Sequence, residues 1–296
     1  MVFSMESTIT NKTKIFIEMI RFEHTLFALP FAFIGALLVQ KKIPGGIEIL
    51  WITLAMIGAR TAAMSLNRII DRHIDAKNPR TANRALPKGL LMVGEVWVYV
   101  LLSFALLLLS AYQLSPLAFK LFPIAVVALS FYSYTKRFTW TCHLFLGLTL
   151  GLAPIGAWIA IANSFHPAPI LLGIGVLFWV AGFDIIYACD DYSFDINNRI
   201  HSIPARFGIA SALKISALFH TLAPIFFIAV AIVLHMGLFY FAGLAIAVTL
   251  LFYQHRLVSP KDLSRAGVAF FNLNGTLSIL MFCFTLLDIN FTIHVF

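Results

Sequence analysis

An all-α integral membrane bundle of nine transmembrane helices is the fold this sequence predicts, and three observations carry that reading. Hydrophobic residues make up 60 % of the 296-residue chain and charged residues only 11 %, against roughly 25 % charged in soluble domains. Nine apolar runs lie near 24–40, 47–67, 94–113, 116–134, 142–163, 168–188, 211–234, 236–253 and 270–289. Each approaches the roughly 20 residues that a helix needs to cross a bilayer. The basic residues, finally, gather on alternate connections between these runs.

The first run follows a mixed polar stretch, Met1 to Glu23, that lacks a signal-peptide pattern. With no small-residue cleavage site behind it, the run reads as a retained span, His24 marking its start and Pro30 a kink. The second run ends at Asn67, where a polar loop from Asp71 to Gly89 is expected, rich in Arg and Lys without matching acids. A loop of this length is commonly a lid or a binding loop. After the sixth run, the stretch Asp195 to Gly208 carries Arg199, His201 and Arg206, with Ser202-Ile203-Pro204 as an extended turn.

With the N-terminus on the cytoplasmic side, 17 of the 21 Lys and Arg residues fall on cytoplasmic segments. The opposite side keeps Lys41, Lys42 and Lys120, and Arg60 sits inside the second span. The positive-inside rule then puts the N-terminus in and the C-terminus out, as an odd number of spans requires. The expected location is a bacterial cytoplasmic (inner) membrane. The same distribution explains the net charge of +8 through the bilayer, with no nucleic-acid partner. Cys142, Cys189 and Cys283 are far apart and form no CxxC or Cys/His cluster, which argues against thiolate metal sites and a disulfide framework.

Two aspartate pairs carry the chemistry. Asn67-Arg68-Ile69-Ile70-Asp71-Arg72-His73-Ile74-Asp75 and Tyr187-Ala188-Cys189-Asp190-Asp191-Tyr192-Ser193-Phe194-Asp195 each place carboxylates at i and i+4. On a helix such residues share one face, and like charges there repel, a cost that a divalent cation offsets. Six of the 13 acidic residues lie in or beside these motifs: Asp71, Asp75, Asp184, Asp190, Asp191 and Asp195. Asp71 to Asp191 and Asp75 to Asp195 are both 120 residues apart, and four spans per step return the chain to the same face. That spacing is compatible with a parallel repeat inside a single domain, 1–296. Arg60 lies on roughly the face of Asn67 and Asp184 lies inside the sixth span, and intramembrane charges mark functional sites. Arg60 has a plainer reading too, as the partner of Asp71 or of a helix-end carbonyl.

Hard oxygen ligands surrounded by Arg and Lys at a membrane surface suit a Mg²⁺-bound diphosphate. The adjoining bilayer suits an apolar tail on that diphosphate, and a polyprenyl diphosphate has both parts. Some of the 29 Phe residues are then candidates to line a tail channel or to face a carbocation.

Asn-Arg-x-x-Asp-x-x-x-Asp followed by Arg80-Thr-Ala-Asn-Arg84-Ala-Leu-Pro-x-Gly89, Tyr-x-x-x-Asp-x-x-x-Asp at 187–195, and Tyr134-Thr135-Lys136-Arg137 together resemble the UbiA-type aromatic prenyltransferases over nearly the whole chain. The resemblance implies a nine-helix bundle open to the cytoplasm, with Mg²⁺ bridging the diphosphate to the Asp motifs. It implies that Asn67, Asp71 and Asp75 hold one metal ion, and Asp191 and Asp195 another. Arg80, Arg84, Lys136 and Arg137 become candidates for the diphosphate or an acceptor carboxylate, and Tyr134, Asp184 and Tyr187 for shaping or activating the aromatic site. Arg68 stands where many members carry Asp, so one acidic ligand is absent.

The implied activity joins a polyprenyl chain to an aromatic acid for quinone biosynthesis. A 4-hydroxybenzoate acceptor (ubiquinone) ranks ahead of a dihydroxynaphthoate (menaquinone) because it names the larger group. The stretch Arg21 to Pro30 and Asn67-Arg68, by contrast, resemble the naphthoate branch. A CDP-alcohol phosphotransferase also uses a membrane Asp-x-x-x-Asp, but the Asp-Gly start and upstream Ala-Arg of that family are missing here. An ion-coupled transporter would hold its carboxylates near the midplane.

Overall fold

The computed structural model describes residues 12–20 and 25–291; His24 and the stretch 21–24 lie outside them. A helix over 12–19, α1, precedes α2 (Thr25–Leu38), α3 (Gly46–Lys77), α4 (Val93–Leu114), α5 (Pro116–Thr135), α6 (Cys142–Ala162) and α7 (Pro167–Ala188). A single 3₁₀ turn, Cys189–Asp191, leads into α8 (Tyr192–Asn197) and α9 (Ile203–Phe207). Then come α10 (Ile209–Val233), α11 (Leu238–Arg256), the short α12 (Ala266–Val268), a π turn at Ala269–Leu273, and α13 (Asn274–Asn290).

The chain is an integral membrane protein. Among the described residues eight helical segments are long and apolar enough to cross a membrane. The expected first span corresponds to α2, whose 14 described residues reach about 21 Å, short of a hydrocarbon core of about 30 Å.

Neighbouring helices pack in chain order from α3 to α7, then α7 on α10, α10 on α11 and α11 on α13, and α13 returns to α2. α2 also lies against α6. The main core sits where these helices converge, around Phe31, Leu172, Trp179, Phe183, Phe227 and Tyr240. α1 closes a second cluster, with Phe16, Met19 and Ile20 against Leu66, Ile69, Leu91, Val96 and Val100.

Lipid tails are as apolar as Leu, so helices in a bilayer associate through close packing rather than through burial of oily surface. The α6–α7 contact shows this. A Cβ at Gly147 would sit 2.3 Å from the carbonyl oxygen of Leu177, and one at Gly151 would sit 2.4 Å from that of Gly173. Two glycines four residues apart therefore let the backbones touch.

Two expectations about local structure are corrected. α3 continues ten residues past Asn67, so the first motif lies wholly on a helix and the loop begins at Asn78 rather than Asp71. Its buried side chains Arg68, Ile69, Asp71 and Asp75 recur at helical spacing and carry the helix on. It stops where Pro79 excludes Asn78 from the α region, and Asn78 is extended at φ −88°, ψ 119°. Ser202-Ile203-Pro204 is not a simple extended turn: Ser202 caps α9, its hydroxyl accepting from the Ala205 N–H at 3.3 Å.

Gly151→Leu is expected to separate α6 from α7 and lower the thermal midpoint of the detergent-solubilised protein by several degrees, since overpacking costs about 1–3 kcal/mol. An unchanged midpoint would show that the close contact contributes nothing.

Candidate active site

Both Asp motifs, the α3–α4 loop and the α5–α6 turn line one cavity of about 1200 Å³. One end is polar, with Asn67, Asp71, Asp75, Arg80, Arg84, Lys136, Asp191 and Asp195. The other is mostly apolar, with Leu146, Leu150, Val180, Phe183, Phe270 and Phe271.

The first motif projects from the C-terminal end of α3. Asp71 is 1 % exposed, and a charge so placed needs partners. It has two from the α5–α6 turn: Lys136 Nζ at 2.6 Å and Arg137 Nη1 at 3.0 Å. Asn67 Nδ2 donates to its Oδ2 at 2.9 Å, the contact expected one helical turn away. Asp75, buried one turn further on, accepts twice from Arg84 Nη1, at 2.7 and 2.8 Å. Arg68 is buried beside Asn67 and donates to its Oδ1 at 3.1 Å.

The second motif is not one helical face. Asp191 ends the 3₁₀ turn and Asp195 belongs to α8. Asp191 is held from the α3–α4 loop: Arg80 pairs with it, with Nε 3.0 Å from Oδ1, and Asn78 Nδ2 donates to Oδ1 at 2.9 Å. Arg80 also donates to the Tyr187 hydroxyl and lies over that ring, 4.8 Å from its centroid. Burial works against the Arg80 charge, but the hydrogen bond and attraction from Asp191, together with Tyr187, outweigh it and raise the pKa. The Tyr187 ring stacks on Phe270, 4.3 Å between centroids. Asp195 accepts from the Ser202 hydroxyl at 2.8 Å.

The structure thus brings eleven of the twelve sequence-selected residues to this cavity or to its carboxylates. Tyr134 is the exception: it is 47 % exposed, lies outside the cavity lining and packs under Arg137, 5.6 Å from its guanidinium carbon. Tyr132 lines the cavity in its stead and donates to the Ala63 carbonyl at 3.3 Å. Arg60 and Asp184 both line the cavity as expected of charges inside spans.

Sequence reasoning did not select Asn78, His143 or Ser202. Asn78 was signalled by the helix-stopping Asn-Pro pair, and His143 by being a titratable group inside an apolar run. Ser202 gave no comparable signal.

Among the described residues no three His, Cys, Asp or Glu side chains already form a metal cage. The donor set nevertheless fits a hard divalent cation: four carboxylates and the Asn67 amide line one cavity. Mg²⁺ characteristically takes one or two carboxylates and completes its shell with phosphate oxygens and water.

A membrane-embedded helical bundle whose polar cavity pairs carboxylates with Arg and Lys defines a class of enzyme built for phosphorylated substrates with apolar tails. The comparisons narrow that class. The sequence profile of the UbiA prenyltransferase family matches residues 28–276, and the chain belongs to that family. A 4-hydroxybenzoate octaprenyltransferase of Vibrio cholerae is 32 % identical over 219 residues, 73 % of this chain and 75 % of that one. Another, of Alkalilimnicola ehrlichii, is 28 % identical over 260 residues, covering 86 % and 87 %. Among solved structures, the apo form of a UbiA homolog from Aeropyrum pernix K1 superposes with a TM-score of 0.83 at 32 % identity, over 90 % of this chain and 98 % of that one. A UbiA homolog from Archaeoglobus fulgidus bound to GPP and Mg²⁺ shares the fold, with a TM-score of 0.72 at 19 % identity over 93 % and 99 %.

Arg80→Ala removes the bridge between the α3–α4 loop and the second motif. Amide exchange in residues 78–89 should speed up at least several-fold while the helices keep their protection. Unaltered exchange in that loop would mean the bridge does not order it.

Proposed function

We propose that this protein transfers a polyprenyl group from a polyprenyl diphosphate to an aromatic acid of the 4-hydroxybenzoate class, with Mg²⁺, in ubiquinone biosynthesis. The observation that carries the reading is the cavity with two ends: both Asp motifs and four basic residues at one, aromatic and aliphatic side chains at the other. The names of the relatives support the same substrates.

Asp71, Asp75, Asp191 and Asp195, with Asn67, are the residues that would hold Mg²⁺, which when bound supplies positive charge to a departing diphosphate. Arg80, Arg84, Lys136 and Arg137 then exchange a carboxylate partner for a phosphate oxygen as substrate enters. The apolar end receives the prenyl chain and keeps water from the allylic carbon. Phe270, stacked on Tyr187, offers that carbon an aromatic face. Arg60, eleven residues from Asp71 on α3 and so about 16 Å along its axis, provides a cation for the acceptor carboxylate.

The distribution of basic residues supports a bacterial inner-membrane protein with the N-terminus and the active site facing the cytoplasm. α2 then belongs to a ninth crossing. One domain over 1–296 accommodates this arrangement, and the 120-residue spacing of the motifs supports a parallel repeat within it.

The test is an assay with Mg²⁺ and an all-trans polyprenyl diphosphate. Offered separately, 4-hydroxybenzoate, 1,4-dihydroxy-2-naphthoate and 1,4-dihydroxy-6-naphthoate should yield prenylated product, detected by mass, with the first alone. EDTA should abolish it, as should Asp71→Ala or Asp191→Ala in protein that remains folded. Product from a naphthoate instead reassigns the quinone pathway, and none from any acceptor overturns the reading.

A further inference from the structure

Seven acids line this cavity, and for five of them the structure shows the side-chain partner. Asp71, Asp75 and Asp191 are each held by Lys or Arg, and Asp195 by the Ser202 hydroxyl. Asp184 differs: the partner that the structure gives it is His143, whose Nδ1 lies 2.7 Å from Oδ2. It has no Lys or Arg within ion-pair distance among the described residues. Its side chain keeps 23 % exposure while lining the cavity.

His143 is placed with care. It sits in the first turn of α6, 2 % exposed. The backbone N–H of Ile203 donates to its Nε2 at 3.3 Å. With Nε2 turned to that N–H, Nδ1 carries the proton aimed at Asp184. The ring therefore fixes one carboxylate oxygen and leaves the other for a ligand. Ile203 follows Ser202, which donates to Asp195, so one short segment registers the second Asp motif and the His143–Asp184 pair together.

Position completes the case. Asp184 precedes Asp191 by seven residues, two helical turns or about 10 Å. It is thus deeper than the carboxylates suited to a metal and level with the apolar wall of Val180 and Phe183. A ring attacking the allylic carbon must stand beyond the diphosphate, on this side of it.

We propose that Asp184, oriented by His143, is the general base that takes the proton from the aromatic acceptor. This inference rests on the prenyl-transfer reading above. The bond from the allylic carbon to the diphosphate oxygen breaks, and its electron pair leaves with diphosphate. The ring carbon ortho to the hydroxyl forms the new bond to the allylic carbon. The electron pair of its C–H bond returns to the ring, and the proton passes to the outward oxygen of Asp184 and then to solvent. Asp184 is a catalytic residue in this scheme and His143 a positioning residue.

The full chain, geranyl diphosphate, Mg²⁺ and 4-hydroxybenzoate, with and without deuterium ortho to the hydroxyl, provide the test. Asp184→Asn keeps shape and hydrogen bonding but is not a base. It should lower kcat about 100-fold, the usual contribution of a general base, and leave KM for geranyl diphosphate unchanged. Ring deuteration should slow this variant further, because proton removal has become rate-limiting. His143→Leu should show the same isotope effect, and His143→Asn, whose amide can donate from the place of Nδ1, should recover most of the rate. Turnover by Asp184→Asn near that of the wild type, or a slow variant indifferent to deuterium, overturns the assignment while prenyl transfer stands. Should Asp184→Asn not fold, the two His143 variants decide: equal rates and no isotope effect in both overturn it. A wild-type chain that makes no product overturns the transfer reading and this assignment with it.

Discussion

Carboxylates buried at a membrane surface must be neutralised, and in this protein the cations that do so come from elsewhere in the chain. Asp71 is met by Lys136 and Arg137 from the α5–α6 turn, Asp75 by Arg84 and Asp191 by Arg80 from the α3–α4 loop. The pairing therefore folds two connections over the cavity mouth. A buried charge stripped of its partner is costly, whereas one exchanged for another partner of the same sign is not. A cavity held together by ion pairs is for that reason stable as it stands and open to substitution by a metal and a phosphate.

The helices supply the frame that makes such pairing reliable. Hydrocarbon surroundings give little reason for one apolar helix to prefer another, so registration comes from shape. Gly147 and Gly151 bring α6 against α7, and that approach sets His143 of α6 beside Asp184 of α7. On the far side of α7, the Asn274 side chain accepts from Trp179 Nε1 at 2.8 Å and donates to the Ala269 and Phe270 carbonyls. These bonds satisfy carbonyls of the π turn, the type of irregularity that often marks functional sites. Phe270 projects from that turn onto Tyr187. Glycine contacts and buried amides thus fix the walls, and charge fixes the mouth.

Much of this was legible in the chain before the structure. Apolar runs located the spans because a bilayer imposes one length on all of them. The Asp pairs stood out because charge is scarce in such a sequence. What failed did so for local reasons. The second apolar run ends at Asn67, yet the helix continues for as long as Ile69, Asp71 and Asp75 find buried partners. Motif position points to Tyr134, but Tyr132, two residues away and so about 200° round the helix, is the tyrosine of α5 that lines the cavity. The partners of each carboxylate lie 9, 65, 66 and 111 residues away, and only the fold brings them together. The 3₁₀ turn that ends at Asp191 likewise leaves no mark in the i, i+4 pattern.

That turn has a consequence for how the two motifs differ. On α3, Asp71 and Asp75 lie one turn apart on one continuous helix. In the second motif Asp191 ends the 3₁₀ turn, and Asp195 is tied through Ser202 to α9 and, by the next residue, to His143. The second motif is accordingly the one coupled to the deep end of the cavity. A ligand drawing on Asp191 and Asp195 acts on a segment that also orients His143 and Asp184, whereas one drawing on Asp71 and Asp75 alone does not. The two motifs look alike in sequence, but only the second is tied, through Ser202 and Ile203, to the His143–Asp184 pair.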